Sequence, residues 1–168
     1  MLKKLVLAVL LVLPTVSFAQ TVKIGYIDSN EILSLMPEQA SAIKQLESMQ
    51  KKFEDELANL NEQYVQEFKR YQAEADTLSE TIRVRREQSL QSIEEKAAEF
   101  KQNAFETLNK KQNELMAPII KKINSAIEAV GKENSFTYIL DLSSGSILFK
   151  GNGSVDVTPL VKAKLNLQ

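Results

Sequence analysis

Carboxylates recur at helical spacing through the middle of this chain, in the clusters Glu54, Asp55, Glu56 and Glu94, Glu95, Glu99. Two carboxylates can divide acid and base work only where a pocket pushes their pKa values apart. A long solvated helix offers no such pocket, so these groups read as a water-facing surface. The rest of the catalytic vocabulary is thin. The chain has no His and no Cys. That removes the commonest general base and the thiol nucleophile, together with the usual ligand sets for zinc, copper, iron–sulfur clusters and haem. Gly151-Asn152-Gly153 lacks the Lys and the spacing of a phosphate-binding loop and reads as a turn. No catalytic residue, metal ligand or cofactor site is expected, no enzyme, and no use of ATP. A formal net charge of −1 argues against nucleic acid as a partner.

What remains is chemistry of contact. Arg83, Arg85 and Arg86 cluster in a short span. They suit acidic polypeptide segments or a transient touch on anionic lipid headgroups, and equally the plain solubility of a turn. The aromatic residues Phe53, Tyr64, Phe68, Tyr71 and Phe100 fall on an apolar stripe and read as helix–helix core. Val65 and Phe105 lie beside that stripe, which makes them candidates for exposed apolar contacts. Pro37 and Pro118 are the candidate bending points.

These residues are positioned by one stretch, Gln39 to Ala117, which contains neither Gly nor Pro and is crowded with Glu, Gln, Lys, Ala and Leu. Such residues lose little rotamer freedom in a helix. Apolar positions recur at Leu46, Met49, Phe53, Leu57, Leu60, Tyr64, Phe68, Tyr71, Ala75, Leu78 and Ile82. The steps are 3-4-4-3-4-4 to Phe68 and 3-4-3-4 beyond it. The first is an eleven-residue repeat and the second a heptad. A second stripe follows at Leu90, Ile93, Ala97, Phe100, Ala104, Leu108 and Leu115. Between the two lies Asp76-Thr77-Leu78-Ser79-Glu80-Thr81, rich in short polar residues that favour caps and turns. The spacing therefore predicts a helical hairpin, outward from Pro37 to about Thr77 and back from about Glu80 to Val130, with Ser79 as the cap of the returning limb. The alternative is one continuous coiled-coil rod. Pro118 predicts a kink in the returning limb, facing Pro37 near the root. Gly131 suits a left-handed helix cap.

The amino terminus reads as a targeting segment. Lys3 and Lys4 precede an apolar run from Leu5 to Leu13, and Ser17-Phe18-Ala19 presents small residues for cleavage after Ala19. Residues 1–19 are thus expected to be removed on export. Val22, Ile24 and Tyr26 alternate onto one face of a half-buried strand. Asp28 or Ser29 can cap a short helix from Asn30 to Met36. After the hairpin, Phe136 to Leu142 and Ser146 to Lys150 read as two strands of a β-hairpin turning at Ser143-Ser144-Gly145. Thr158 is expected to cap a final short helix with Pro159 at its first position. The expected class is α+β: residues 20–45 and 116–168 form a small β-rich body, and residues 46–115 a helical hairpin arm projecting from it. So small a body with open sheet edges calls for further copies of the chain.

The segments Lys23-Ile24-Gly25-Tyr26-Ile27-Asp28, Leu115-Met116-Ala117-Pro118-Ile119, Tyr138-Ile139-Leu140-Asp141 and Asp156-Val157-Thr158-Pro159-Leu160-Val161, with the long charged hairpin between them, resemble the Skp (OmpH-like) family of periplasmic chaperones. The resemblance implies a jellyfish-like homotrimer whose three arms enclose a cavity. It further implies a periplasmic holdase that keeps unfolded outer-membrane proteins from aggregating. A structural coiled-coil scaffold of the cell envelope is the alternative function. One departure stands out. Well-known members are strongly basic, whereas residues 46–115 here hold 11 Lys or Arg against 15 Asp or Glu, a net of −4. Electrostatic capture of acidic clients and a lipopolysaccharide site are therefore not carried over.

Overall fold

A computed structural model describes residues 22–167. The targeting segment read at residues 1–19, and its cleavage after Ala19, lie outside the described residues. The chain runs β1 (Ile24–Ile27), α1 (Ser29–Leu35), α2 (Pro37–Glu74), α3 (Glu80–Glu133), β2 (Tyr138–Asp141), a 3-10 turn (Leu142–Ser144), β3 (Val155–Asp156) and α4 (Thr158–Lys164). At 1.5 Å per residue, α2 is about 57 Å long and α3 about 81 Å. They form the expected antiparallel hairpin, reversing over residues 75–79, where the Thr77 and Leu78 amides donate back to the Glu74 carbonyl. Pro37 sits in the first turn of α2, where a missing N–H costs nothing. Ser79 holds the cap position of α3, but its hydroxyl makes no cap hydrogen bond; its carbonyl accepts from Ile82 and Arg83.

The three strands form one parallel sheet in the order β2-β1-β3. Ile24 pairs with Tyr138 and Ile27 with Asp141, while Gly25 pairs with Val155. Parallel neighbours need a long crossover, and here the whole helical hairpin serves as the crossover from β1 to β2. The expected β-hairpin is therefore corrected. Residues 145–150 form no strand, and Leu148 and Phe149 stand 95% and 86% exposed. The physical reason lies at the end of β2. The Asp141 carboxylate accepts from the amides of Ser29 (3.1 Å) and Ser143 (3.0 Å) and from the Ser29 hydroxyl (2.6 Å). This turns the chain into the 3-10 helix, and Gly145, at φ 68°, leads it away from β2.

The buried face of β1 is also opposite to expectation. Gly25 and Ile27 point into the core, while Ile24 and Tyr26 are half-buried and Val22 is exposed. Gly25 explains this. A Cβ there would lie 2.9 Å from Val157 Cγ1 and 3.2 Å from both Ile139 and Phe136, so only a glycine lets neighbouring side chains close over the strand. The core gathers Ile27, Ile32 and Met36 with Ile119, Ile123, Ala126 and Val130 of α3, and with Val157, Val161 and Leu165. Asp28, not Ser29, caps α1, accepting from the amides of Asn30 and Glu31. Thr158 is the first residue of α4 rather than its cap, and the Asp156 carboxylate accepts from its amide at 2.9 Å.

Gly131 does not end α3. The helix continues to Glu133, and the left-handed residue is Ser135, at φ 56°. The Phe136 amide donates to the Gly131 carbonyl (2.9 Å) and the Ser135 amide to that of Lys132 (3.3 Å), the paired closure of a Schellman cap. The extra turn is held by Asn134, whose side-chain amide donates to the Val130 carbonyl. Gly131 itself leaves ordinary van der Waals room, since a Cβ at this position would lie 3.4 Å from Ile139 Cδ1.

The two glycines should therefore respond oppositely. Gly25→Val forces the core apart and should lower stability by about 2 kcal/mol, read as a drop in the urea midpoint. Gly131→Ala should raise it by up to about 1 kcal/mol. Burial pushes the Asp141 carboxyl up, but the hydrogen bonds from Ser29 and Ser143 outweigh it and hold the group below its ordinary value. A depressed folded pKa gives stability that is complete above the ordinary carboxylate range and lost as pH falls through the folded value. Asp141→Asn should be less stable than the parent at pH 7, and the gap should close on acidification.

Candidate functional site

The arm is built from two helices that bury little of themselves. Between residues 46 and 115 only Leu90 and Ala104 are buried. The stripe positions Leu46, Met49, Phe53, Leu57, Leu60, Tyr64 and Tyr71 are half-buried, while Phe68 and Ile82, on the same stripe, stay exposed. Phe53 meets Phe100 edge to face, centroids 5.8 Å apart, and Tyr64 stacks on Phe68 at 6.0 Å. Two helices can close one seam, but not the flanks on either side of it, because an apolar stripe is wider than the contact line. The side chains beside the seam are left in water. Val65 and Phe105 are both exposed, Phe105 at 66%. Val84, Ile43 and Ile120 are exposed too. Sequence reasoning missed these three. Val84 and Ile120 lie off the stripe, where the test that picked out Val65 and Phe105 would have found them; Ile43 continues the stripe three residues before Leu46, so its spacing carries no signal of exposure.

Polar ties fasten the outer half of the arm. The Tyr71 hydroxyl donates to Glu87 at 2.7 Å. This bond, then desolvation, holds the Tyr71 phenol above its ordinary pKa, and Glu94 does the same to Tyr64. Arg86 reaches across to Glu67 (3.2 Å) and Glu74 (3.6 Å). Arg83 pairs with Glu80 on its own helix. The structure thus brings the three arginines to one end of the arm but gives them different employment. Arg86 ties the two helices together, Arg83 serves its first turn, and Arg85 has no carboxylate within 4 Å among the described residues.

At the root, Lys122 of α3 pairs with Glu38 of α2 at 2.5 Å, which holds the Glu38 carboxyl below its ordinary pKa. Glu38 directly follows Pro37, and Lys122 lies one turn beyond Pro118. This single ion pair therefore spans both candidate bending points. α3 runs through Pro118 as one helix. Proline has no N–H to give the Glu114 carbonyl, so the ladder there lacks a rung.

The carboxylate clusters sit on solvated surface. Glu54 accepts from Gln50 and Glu95 from Gln91 along the same helix face. Among the described residues no group of three His, Cys, Asp or Glu side chains could hold a metal ion, and no helix is long and apolar enough to cross a membrane. What the arrangement offers is a long surface of mixed charge with scattered apolar side chains.

A family model described as outer membrane protein (OmpH-like) matches residues 23–165. No curated protein matches the sequence. Among solved structures, the fold is similar to that of a candidate outer membrane chaperone (OmpH-like) from Caulobacter crescentus CB15. The TM-score is 0.72, covering 86% of this chain and 84% of that one, at 14% sequence identity. At that identity the likeness is one of fold.

The two outer arginines give a direct check on the ties. Arg86→Ala should loosen the outer hairpin by about 1 kcal/mol, seen as roughly fivefold faster amide exchange over residues 64–94. Arg85→Ala should leave that exchange unchanged.

Proposed function

The chain belongs to the outer membrane protein (OmpH-like) family, and on that footing we propose that it is an ATP-independent holdase chaperone of the periplasm. Its clients are unfolded outer-membrane proteins, which it keeps from aggregating in a cavity between helical arms. The observation that carries this reading is the arm itself, whose two limbs over residues 46–115 bury only Leu90 and Ala104 and leave Val65, Phe68, Ile82, Val84 and Phe105 in water. A holdase without an energy source must release its client, so it needs many weak contacts rather than one tight pocket. Scattered apolar groups on a charged rod provide them, and several arms acting together raise the overall affinity without deepening any one contact. Val65, Phe105 and the arginines Arg83, Arg85 and Arg86 are the proposed client contacts. Arg85 is the best placed of the three because it is not engaged elsewhere. Pro37 and Pro118 are the proposed hinge between arm and body.

The working form is a homotrimer assembled through the body, residues 20–45 and 116–168, with residues 46–115 as the arm. Both outer strands, β2 and β3, present open edges, and unpaired edges recruit further strands. Leu148, Phe149, Tyr138 and Val155 are exposed on this small body, more apolar surface than so thin a core leaves uncovered without reason. On this reading the mature chain, cleaved after Ala19 on export, works in the periplasm.

Purified mature protein, in excess and without nucleotide, should suppress light scattering by an unfolded β-barrel protein diluted from urea; undiminished scattering would end the proposal. Pull-downs should recover a spread of unfolded proteins, whereas one stoichiometric folded partner would mark a scaffold. A variant lacking residues 46–115 should keep the trimer mass by light scattering and lose client holding.

A further inference from the structure

One flank of the arm root carries a feature that the scattered contacts above do not use. Two cavities, about 350 Å³ and 370 Å³, share Ser41 and Gln45 in their walls and so run into one another along the seam of α2 and α3. The inner one is walled by the carbon surfaces of Ala42, Leu115, Pro118 and Ile119. The outer one is rimmed by Lys44, Lys52 and Lys111 over Met49. None of these three lysines has a carboxylate within 4 Å among the described residues. The groove is thus apolar at one end and cationic at the other. From Glu38 to Lys52 it spans fourteen helical residues, about 21 Å. About six residues of extended polypeptide cover that distance.

We propose that this groove is a binding site for an extended segment of unfolded polypeptide, with an apolar side chain in the Ala42–Leu115–Pro118–Ile119 end and an acidic side chain about three residues away among Lys44, Lys52 and Lys111. The proposal rests on the chaperone reading and gives it one defined contact with a sequence preference. Charge complementarity selects the acidic end. The charged edge of the apolar end argues for polypeptide rather than lipid. Glu38, Glu114 and Lys122 also line it, and an acyl chain laid there would strip those groups of water and return no hydrogen bond. An extended chain brings backbone N–H and C=O groups of its own. Neutral Ser41 and Gln45 at the junction tolerate any residue between the two ends, as a chaperone serving many clients requires.

The test uses the full mature chain and a fluorescent, unstructured peptide of about eight residues carrying one Leu and, about three positions on, two Asp. Anisotropy should report binding, weakened about tenfold or more by the combined change Lys44→Glu, Lys52→Glu, Lys111→Glu, and restored when the peptide's Asp residues become Lys. Ser41→Phe, which fills the junction from its rim, should weaken binding of both peptides. Far-ultraviolet circular dichroism should be unchanged, since these positions face the groove rather than the core. Equal affinity for the parent and both variants overturns the proposal. So does a parent that ignores the peptide yet binds phosphatidylglycerol vesicles in a lysine-dependent way. Aggregation suppression separates the two readings: a parent that holds unfolded β-barrel protein while its peptide affinity ignores the charge reversal keeps the holdase and loses the groove. Lysine-dependent peptide binding without suppression does the reverse.

Discussion

One helix belongs to two parts of the molecule, and the rest of the structure depends on that sharing. Over its outer length, α3 is half of a thin hairpin. Over Ile119, Ile123, Ala126 and Val130 the same helix is the main wall of the body's core. The body has only strands of two to four residues and seven-residue helices with which to cover it. Without the inner third of α3 there is no second layer for the sheet to pack on. The arm is therefore aimed by the core itself, since no separate linker intervenes between the wall and the limb.

The two parts then follow opposite rules. In the body, close packing is demanded at specific points, as at Gly25, where the side chains of Val157, Ile139 and Phe136 leave no room for a Cβ. In the arm, packing is minimal and compensated by polar crossties, Tyr71 to Glu87 and Arg86 to Glu67 and Glu74. Exposed ties of this kind contribute little each, and they join the two limbs without hiding their apolar flanks. The chemistry of the arm is one of surface.

Much of this was legible from residue spacing. The apolar stripe, the reversal near Ser79, Pro37 as the start of a helix and the exposure of Val65 and Phe105 follow from periodicity and propensity, which act locally. In the sheet, the errors fall where a distant residue decides; at the end of α3, near neighbours decide. Ser146 to Lys150 has the apolar run of a strand, but Asp141 is claimed by Ser29, 112 positions away, and the chain turns off. Val22, Ile24 and Tyr26 look like the inner face of β1, but the crowding around Gly25 that makes the other face the inner one comes from residues beyond position 135. Gly131 has the composition of a helix cap, yet Asn134 prolongs the helix and Ser135 takes the left-handed turn. The roles of the three arginines were not separable either, because which of them crosses to the other helix depends on register between limbs.

The insertion of the hairpin between β1 and β2 also has a bearing on how the protein reaches its native state. Ile24 and Tyr138 stand opposite each other in the sheet, separated by more than a hundred residues, and closing so large a floppy loop directly would be entropically slow. The reversal at residues 75–79 offers a quicker route. Contacts near it are local, and each turn of zipping brings the next pair of turns within reach, so that the strand ends are delivered to one another as the last pair in line. On that route the limb would be the guide rail for assembly of the base, formed from its far end inward, with the sheet as the final catch.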